Sequence, residues 1–295
     1  MKRFPETDKD GGRRKTHTII AKKELAPKIK LLEIEAPEIA AKAQAGQFVI
    51  LRLDEVGERF PLTLVNWDKC KGTITLIFLE VGVSTERLGL LQEQDVIMDV
   101  VGPLGKPSEI RKYDLLCVIG GGVGTASAYP IARAFKEAGS KVVSIVGAKT
   151  ANLLILEEEM ARVSDELHIS TDDGTKGQKG FVSDVLKKLI EKGYGFNVVY
   201  AIGPTVMMRA VAETTRPYSI KTIVSLNPIM VDGMGMCGAC RVTVGGTTRF
   251  ACVDGPEFDA HQVDFGELLK RQVAYMSEEK LALQHMLERR CTCGK

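Results

Sequence analysis

The sequence has no apolar run long enough to cross a membrane and no marked excess of charge of either sign. Its 295 residues include 40 Lys and Arg against 38 Asp and Glu, so the formal net charge is +2. Proteins that bind nucleic acid or an anionic membrane surface usually carry a clear basic excess. We therefore expect neither kind of partner. The polar residues 1–15 also lack the apolar stretch of a signal peptide, and we expect a mobile tail there.

Cysteine is sparse, and its placement does not suggest a disulfide framework. The chain has seven cysteines, an odd number, and three of them lie between residues 237 and 252. Cys117 lies in an apolar run and is predicted to be a core residue. Cys291 and Cys293 lie at the extreme C-terminus, where a frayed end is expected. This usage suits a reducing compartment, and we expect a cytoplasmic protein.

Hydrophobic patterning divides the chain into two domains and a smaller C-terminal part. With 44% hydrophobic residues, the chain is long enough to bury more than one core. Residues 16–110 show short alternating or β-branched runs punctuated by Gly and Pro, which predict an antiparallel β-barrel. Its last residues, 101–107, are interpreted as the linker that closes the barrel. Residues 111–220 alternate strand-like and helical segments, which predicts a doubly wound α/β domain with a parallel sheet.

The remaining sequence predicts a small third domain and a tail. Residues 221–262 form a Gly-rich segment that contains the clustered cysteines, and residues 263–295 read as a charged helical tail. Within the second domain, one helix is predicted over residues 153–161. The predicted fold class is therefore an α+β multidomain protein.

Three cysteines and one aspartate in the Gly-rich segment have the spacing of a metal centre. Four residues separate Asp232 from Cys237, two separate Cys237 from Cys240, and eleven separate Cys240 from Cys252. A C-x-x-C turn presents two thiolates to one centre, and glycines let the backbone wrap closely around it. The pattern indicates a [2Fe–2S] cluster. Two alternatives remain open, namely a zinc site with Asp232 or His261 as fourth ligand, and cysteines that are merely buried.

Two glycine-containing turns in the α/β domain are candidates for binding a dinucleotide. The first comprises Gly120, Gly121, Gly122, Val123, Gly124 and Thr125, and the second contains Gly203, Pro204 and Met207. Each turn follows a predicted strand and precedes a predicted helix, where glycines let the backbone approach a pyrophosphate. The alternatives are tight helix–strand packing for the first turn, and a strand exit with core methionines for the second.

Two segments of the predicted barrel carry candidate flavin contacts. They are Arg59, Pro61, Leu62 and Thr63 at the start of a strand, and Gly82, Ser84 and Thr85 in a later turn. Arg59 could pair with a phosphate or a flavin carbonyl, and small hydroxyl residues can surround a pyrophosphate. The alternatives are a surface arginine and a turn that caps the following helix.

Taken together, these motifs resemble the ferredoxin–NADP reductase superfamily. The sequence Phe-Ala-Cys-Val-Asp-Gly-Pro-Glu-Phe at 250–258 further resembles the electron transfer subunit of dihydroorotate dehydrogenase. That subunit has cysteine as its first cluster ligand, whereas this chain has Asp232. With an aspartate in this position, the chain resembles the small subunit of NADH-dependent ferredoxin:NADP oxidoreductase, also described as the sulfide dehydrogenase subunit.

The resemblance implies a set of cofactors and partners. It implies bound FAD, a [2Fe–2S] cluster held by Asp232, Cys237, Cys240 and Cys252, and NAD(H) as the nucleotide. It also implies a larger partner subunit that contains flavin and [4Fe–4S] clusters, binds NADP(H) and exchanges electrons with ferredoxin, with electron bifurcation in the complex. An electron transfer subunit of dihydroorotate dehydrogenase, and a redox sensor that binds NAD(H) and a cluster, remain as alternatives.

Two positions depart from the superfamily pattern, and two further features bear on the choice of nucleotide. Phe60, rather than an arginine, directly precedes the proline of the flavin motif, and Ser84 replaces a glycine of the pyrophosphate turn. Lys149 could meet the 2′-phosphate of NADP, whereas the acidic residues 157–159 would repel it. With the resemblance added, we expect NAD.

Overall fold

The computed structural model describes the backbone of residues 17–293 and the side chains of residues 17–288. The expectations for residues 1–15, and for the side chains of Cys291 and Cys293, lie outside the described residues. None of the helices in the described part of the chain is long and apolar enough to cross a membrane.

The N-terminal part forms a nearly closed antiparallel barrel, as the sequence predicts. Its strands are β1 (His17–Ala26), β2 (Ile29–Glu35), β3 (Phe48–Arg52), β4 (Phe60–Asp68), β5 (Thr73–Leu79), β6 (Val96–Ile97) and β7 (Asp99–Leu104), with helices α1 (Pro37–Ala40) and α2 (Val83–Leu90) between them. The order across the sheet is β6-β1-β2-β5-β4-β3-β7. Alternate apolar residues, such as Leu32 and Ile34 on β2, are fully buried inside the barrel.

The segment interpreted as a linker starts as a strand. Residues 101–104 belong to β7 and pair with β3, with Val101 opposite Ile50. Val100 is buried and Val101 is exposed, an alternation that fits an edge strand on the barrel. The connection to the next domain therefore begins only after Leu104.

The second domain is a seven-stranded sheet flanked by helices. Its elements are β8 (Leu116–Gly121), α3 (Gly124–Glu137), β9 (Val142–Ala148), α4 (Glu157–Arg162), β10 (Glu166–Thr171), β11 (Gln178–Lys179), α5 (Val182–Glu191), β12 (Val198–Ile202), α6 (Thr205–Thr215), β13 (Lys221–Ser225) and β16 (Glu257–Asp259). The order is β11-β10-β9-β8-β12-β13-β16, and all neighbours are parallel except the last pair. The strands next to the centre are buried throughout because helices cover both faces.

Two features of this sheet differ from the sequence interpretation. The helix predicted over 153–161 is instead a 3₁₀ turn at Ala151–Leu153, an extended stretch with Leu154 and Ile155 buried, and α4 from Glu157 onwards. Leu156, with φ +55°, interrupts the helix between the two parts. The strands β13 and β16 belong to this sheet, although their residues fall in the segment predicted to form the cluster domain.

The C-terminal part contains a hairpin and two helices. The strands β14 (Arg241–Val244) and β15 (Thr247–Phe250) form the hairpin, and α7 (Phe265–Gln272) and α8 (Met276–Cys293) follow it. The Asp264 side chain accepts a hydrogen bond from the Glu267 amide at 2.9 Å and so caps α7. The predicted tail is therefore two helices separated by residues 273–275, and α8 runs beside α2 of the barrel.

An arginine joins the barrel to the second domain. The Arg133 guanidinium on α3 donates to Asn66 Oδ1 on β4 at 2.7 Å. The same group lies 5.2 Å from the centre of the Trp67 ring and 5.4 Å from that of Tyr129. Trp67 contacts the apolar cores of both domains. This contact fixes the first helix of the second domain against the barrel.

Candidate functional site

The first glycine-containing turn joins β8 to α3 near the centre of the second sheet. Gly122 has φ +55°, a left-handed conformation that glycine adopts without a steric penalty, and a Cβ there would meet nothing within 4 Å. A Cβ on Gly124 would come within 2.5 Å of the Ile202 carbonyl oxygen at the end of β12. Gly122 thus shapes the turn and leaves open space, whereas Gly124 lets α3 pack tightly on the sheet.

The start of α3 offers donors suited to phosphate. Thr125 is 1% exposed, and its hydroxyl has no hydrogen-bond partner among the described residues. The N-terminus of the helix also carries partial positive charge, while the Thr125 and Ala126 amides donate to the carbonyls of Gly122 and Val123 in the turn. A buried hydroxyl without a partner and a helix N-terminus together fit the pyrophosphate of a dinucleotide.

The second turn lies against the first. Gly203 and Pro204 follow β12, the strand next to β8 in the sheet. A Cβ on Gly121 would overlap the Met207 sulfur, and a Cβ on Gly203 would come within 3.0 Å of the same atom. The structure therefore brings both predicted turns together at the carboxyl ends of adjacent parallel strands, where open α/β sheets bind their ligands. Met207 contributes packing between the turns.

In the barrel, the two predicted flavin segments are also neighbours. Ser84 Oγ, at the start of α2, donates to Glu58 Oε2 at 2.7 Å. Arg59 is exposed directly before β4, beside that contact. Sequence reasoning did not assign Glu58, and no local pattern marks it, because its partner lies 26 positions away.

The side chains on the two candidate flavin segments differ in whether they are free to contact a flavin. Leu62 packs into the barrel core, while Pro61 and Thr63 occupy the opposite face of β4 by the alternation of a strand. Thr85 Oγ1 accepts from the amides of Val81 and Gly82 at 3.0 and 3.2 Å and donates to the Gly82 carbonyl. The Thr85 hydroxyl thus caps α2, which is the alternative that the sequence left open.

The β14–β15 hairpin positions two of the predicted cluster ligands. Cys240 directly precedes β14 and Cys252 follows β15, so the hairpin brings their sulfur atoms to 3.1 Å from each other. Both residues are buried, whereas Cys237 is exposed at the other end of the C-x-x-C turn. The chain thus presents two thiols from inside and one from the surface.

The two buried thiols have the chemistry of metal ligands. Burial, followed by the neighbouring Cys240, raises the pKa of the Cys252 thiol to about 12. Neutral thiols in an apolar pocket make only weak hydrogen bonds, whereas a bound cation would deprotonate them and pair with the thiolates. The 3.1 Å separation of the two sulfur atoms at the base of one hairpin is the observation that fits two ligands of one metal centre.

Asp232 is oriented by the loop it belongs to. Its carboxylate accepts three backbone amides, from Met234 and Met236 at 3.0 Å and from Cys237 at 2.8 Å. These bonds, with that from Met234 the largest cause, lower the pKa of Asp232 and keep it ionised. The Cys237 thiol also hydrogen-bonds to this carboxylate, so two of the candidate cluster ligands lie side by side.

The arrangement fits a two-iron cluster better than a single zinc ion. In the part of the chain that the structure describes, no three His, Cys, Asp or Glu side chains converge on one ion position. A [2Fe–2S] cluster does not need such convergence, because its four ligands are divided between two irons. His261, the other candidate zinc ligand, is hydrogen-bonded to Thr215 Oγ1 at 3.0 Å, away from the cysteines.

The cluster loop packs directly on the barrel. A Cβ on Gly233 would come within 2.7 Å of Leu104 on β7 and 2.8 Å of Ile50 on β3. The Lys106 amide donates to the Gly255 carbonyl at 2.7 Å, just beyond the loop. Ile50 also shares one apolar core with Cys240 and Cys252. The candidate flavin and cluster segments therefore belong to one continuous packed unit.

Two family profiles match parts of the chain. Residues 118–213 match the oxidoreductase NAD-binding domain, and residues 227–264 match the iron-sulfur cluster binding domain of dihydroorotate dehydrogenase B. The first match includes both glycine-containing turns, and the second includes all four candidate cluster ligands.

Curated proteins and a solved structure are similar over nearly the whole chain. A Thermotoga maritima protein described as "Dihydroorotate dehydrogenase B (NAD(+)), electron transfer subunit homolog" is 46% identical over 271 residues, covering 90% of this chain and 95% of that protein. The electron transfer subunit of dihydroorotate dehydrogenase B from Geobacillus kaustophilus is 34% identical over 261 residues, covering 85% and 98%. A chain from the structure of an NADH-dependent reduced ferredoxin-NADP oxidoreductase, described in work on flavin-based electron bifurcation, superposes with a TM-score of 0.88. It is 45% identical, and the match covers 92% of this chain and 98% of that one. These matches confirm the resemblance and the predicted fold.

Proposed function

The chain belongs to the family of dihydroorotate dehydrogenase B electron transfer subunits and their homologues, and from this premise we propose how it works. It is an oxidoreductase subunit that passes electrons between NAD(H), FAD, a [2Fe–2S] cluster and a larger partner subunit. We propose that the partner contains flavin and [4Fe–4S] clusters and uses NADP(H) and ferredoxin, as in electron-bifurcating NADH-dependent reduced ferredoxin:NADP oxidoreductase. We also propose a cytoplasmic location, because the cysteine usage of the sequence suits a reducing compartment.

The contact between the cluster loop and the barrel carries this proposal. Gly233 lies so close to Ile50 and Leu104 that no side chain would fit between them. Such packing holds the cluster segment at a fixed position relative to the flavin domain, as electron transfer between two bound cofactors requires.

The protein's own groups bind and orient the cofactors and the nucleotide. We propose that the Gly122–Thr125 turn binds the NADH pyrophosphate, and that the Gly203–Met207 turn borders the nicotinamide end of the bound dinucleotide. Pro61, Thr63 and Gly82 would border the flavin. When bound, FAD supplies two-electron chemistry with NADH and one-electron chemistry with the cluster. Asp232 and the three cysteines would hold that cluster, with the hairpin fixing two of the ligands.

The proposed preference for NAD rests on resemblance together with local charge. Lys149 is exposed after β9, where a 2′-phosphate would lie if one were present. Glu157 forms an ion pair with Lys176 at 2.8 Å, so its repulsion of a phosphate is weaker than the sequence alone suggests. A comparison of flavin reduction rates by NADH and NADPH tests this choice, and faster reduction by NADPH would overturn it.

Anaerobic purification of the native complex, followed by mass spectrometry of co-eluting chains, tests the partner. A large flavoprotein with [4Fe–4S] ligand motifs supports the proposal. A dihydroorotate dehydrogenase chain would replace it with the second candidate, which the names of the curated relatives favour. Absence of any partner in the native preparation would overturn the relay to a second subunit.

A further inference from the structure

Two arginines contact the short turn between two of the proposed cluster ligands. The turn is Cys237-Gly238-Ala239-Cys240. Arg241 Nη1 donates to the Gly238 carbonyl at 3.2 Å, and Arg271 Nη2 donates to the Ala239 carbonyl at 3.0 Å. Both carbonyls between the two cysteines thus accept a bond from a positively charged group. Such bonds are roughly twice as strong as those between neutral groups.

The two arginines differ in environment. Arg241 is exposed on the hairpin, where solvent and salt screen its charge. Arg271 is partly buried, and its Nε is fully buried with no hydrogen-bond partner among the described residues. A buried charged donor without a partner is costly, so this geometry points to an acceptor that the protein chain itself does not supply. Arg271 has both the position and the unused donor to act on a bound centre.

The helix that carries Arg271 is held firmly in place. On α7, Leu268 packs into the same apolar core as Cys240 and Cys252. The next residue after Arg271, Gln272, donates to the Asn227 carbonyl at 2.9 Å and accepts a bond from Thr205 at 2.8 Å. The guanidinium is therefore fixed relative to the C-x-x-C turn rather than free to move with solvent.

We propose that Arg271 is a positioning residue that fixes the Cys237–Cys240 turn and raises the reduction potential of the cluster held there. This inference rests on the proposed function. The ligand set consists of one carboxylate and three thiolates, all negative, and reduction adds a further negative charge. A fixed positive group in a partly buried site stabilises the reduced form more than the oxidised form. Outer groups that hydrogen-bond to a metal site tune it in this way.

The test is a redox titration of the purified holoprotein, with dithionite and mediators, followed by the electron paramagnetic resonance signal of the reduced cluster. Arg271→Gln should lower the equilibrium constant for cluster reduction about tenfold, which is about 59 mV for one electron. Arg241→Gln should give a smaller shift that disappears at high salt. Arg249→Gln, on the exposed face of the same hairpin, is the matched control and should leave the potential unchanged.

A second variant separates charge from folding. Arg271→Lys retains the charge but loses the planar fork, and we expect it to restore at least half of the lost potential. If Arg271→Gln fails to retain iron, the test becomes the comparison of Arg271→Lys with wild type. An equilibrium constant for cluster reduction that is more than tenfold lower in Arg271→Lys would then refute the charge effect. An unchanged potential in Arg271→Gln, or an equal shift in Arg249→Gln, would overturn the proposal. Failure of the proposed function would be distinguishable, because wild-type protein would then lack iron and acid-labile sulfide.

Discussion

Glu257 should make the stability of this protein depend on pH in an unusual direction. Its carboxyl accepts a hydrogen bond from Ser108 Oγ at 2.5 Å, and so joins β16 to the segment that follows the barrel. Burial raises the pKa of Glu257 to about 7; the bond from Ser108 opposes this rise, and the negative charge of Glu109 adds to it. At neutral pH this carboxyl is therefore about half protonated.

The sign and size follow from the difference in proton binding between folded and unfolded chains. An ordinary Glu titrates near 4.5, so between about pH 4.5 and 7 the folded protein binds the proton that the unfolded chain has released. Stability must fall as pH rises through that window and become level above it. At about 1.4 kcal/mol per pH unit, the whole effect is about 3 kcal/mol, of which about 2 kcal/mol lies between about pH 5.5 and 8.5.

The assay is the thermal midpoint of the holoprotein, measured for wild type and Glu257→Gln at these two pH values. Glutamine is neutral at both pH values, so only wild type should lose stability as the pH rises. The thermal midpoint of the variant relative to that of wild type should therefore be about 4 °C higher at the higher pH than at the lower, since 1 kcal/mol corresponds to about 2 °C. Glu109→Gln is the control, because Glu109 is exposed and contributes only the smallest of the three effects on Glu257. Parallel curves for wild type and Glu257→Gln would refute the reasoning.

Three further substitutions test the site directly. Gly124→Ala should destabilise the protein by about 1–3 kcal/mol and weaken NADH binding, because its Cβ would press on the Ile202 carbonyl; Gly195→Ala, at an open position, should change neither the unfolding curve nor the NADH titration. Cys252→Ser should abolish the cluster's visible absorption while NADH still reduces the flavin, and a full iron content would contradict the ligand assignment. Asp232→Cys should retain the cluster with a shifted midpoint potential, since a carboxylate oxygen and a thiolate differ as donors; an identical potential would count against Asp232 as a ligand.

Much of the fold could be predicted from sequence because its signals are local. The alternation in β2 and the continuous apolar run of β12 each indicate a strand by themselves. The position of β16 could not be predicted, because three residues carry no periodicity and pair only with the distant β13. Helix α4 was misplaced since apolar Leu154 and Ile155 fit a helical pattern as well as the buried extended stretch they form.

The candidate site also contains residues that could be predicted from the sequence and residues that could not. The glycine-containing turns and the candidate cluster ligands could be located because a short backbone segment dictates their residue types and spacing. Arg271 could not, because it lies 32 positions from the carbonyl it contacts and forms part of a helix that reads as a solvated tail. Thr85 was instead predicted to contact a cofactor, but its hydroxyl makes its hydrogen bonds within its own turn.

The position of Trp67 makes the joint between the barrel and the nucleotide domain observable without a label. It is the only tryptophan in the chain, and it lies beside Arg133 where the two apolar cores meet. Intrinsic indole fluorescence therefore comes from one place, and its emission reports the surroundings of the joint between the two domains. A shift of this emission when a partner or substrate is added would thus report a change at that joint.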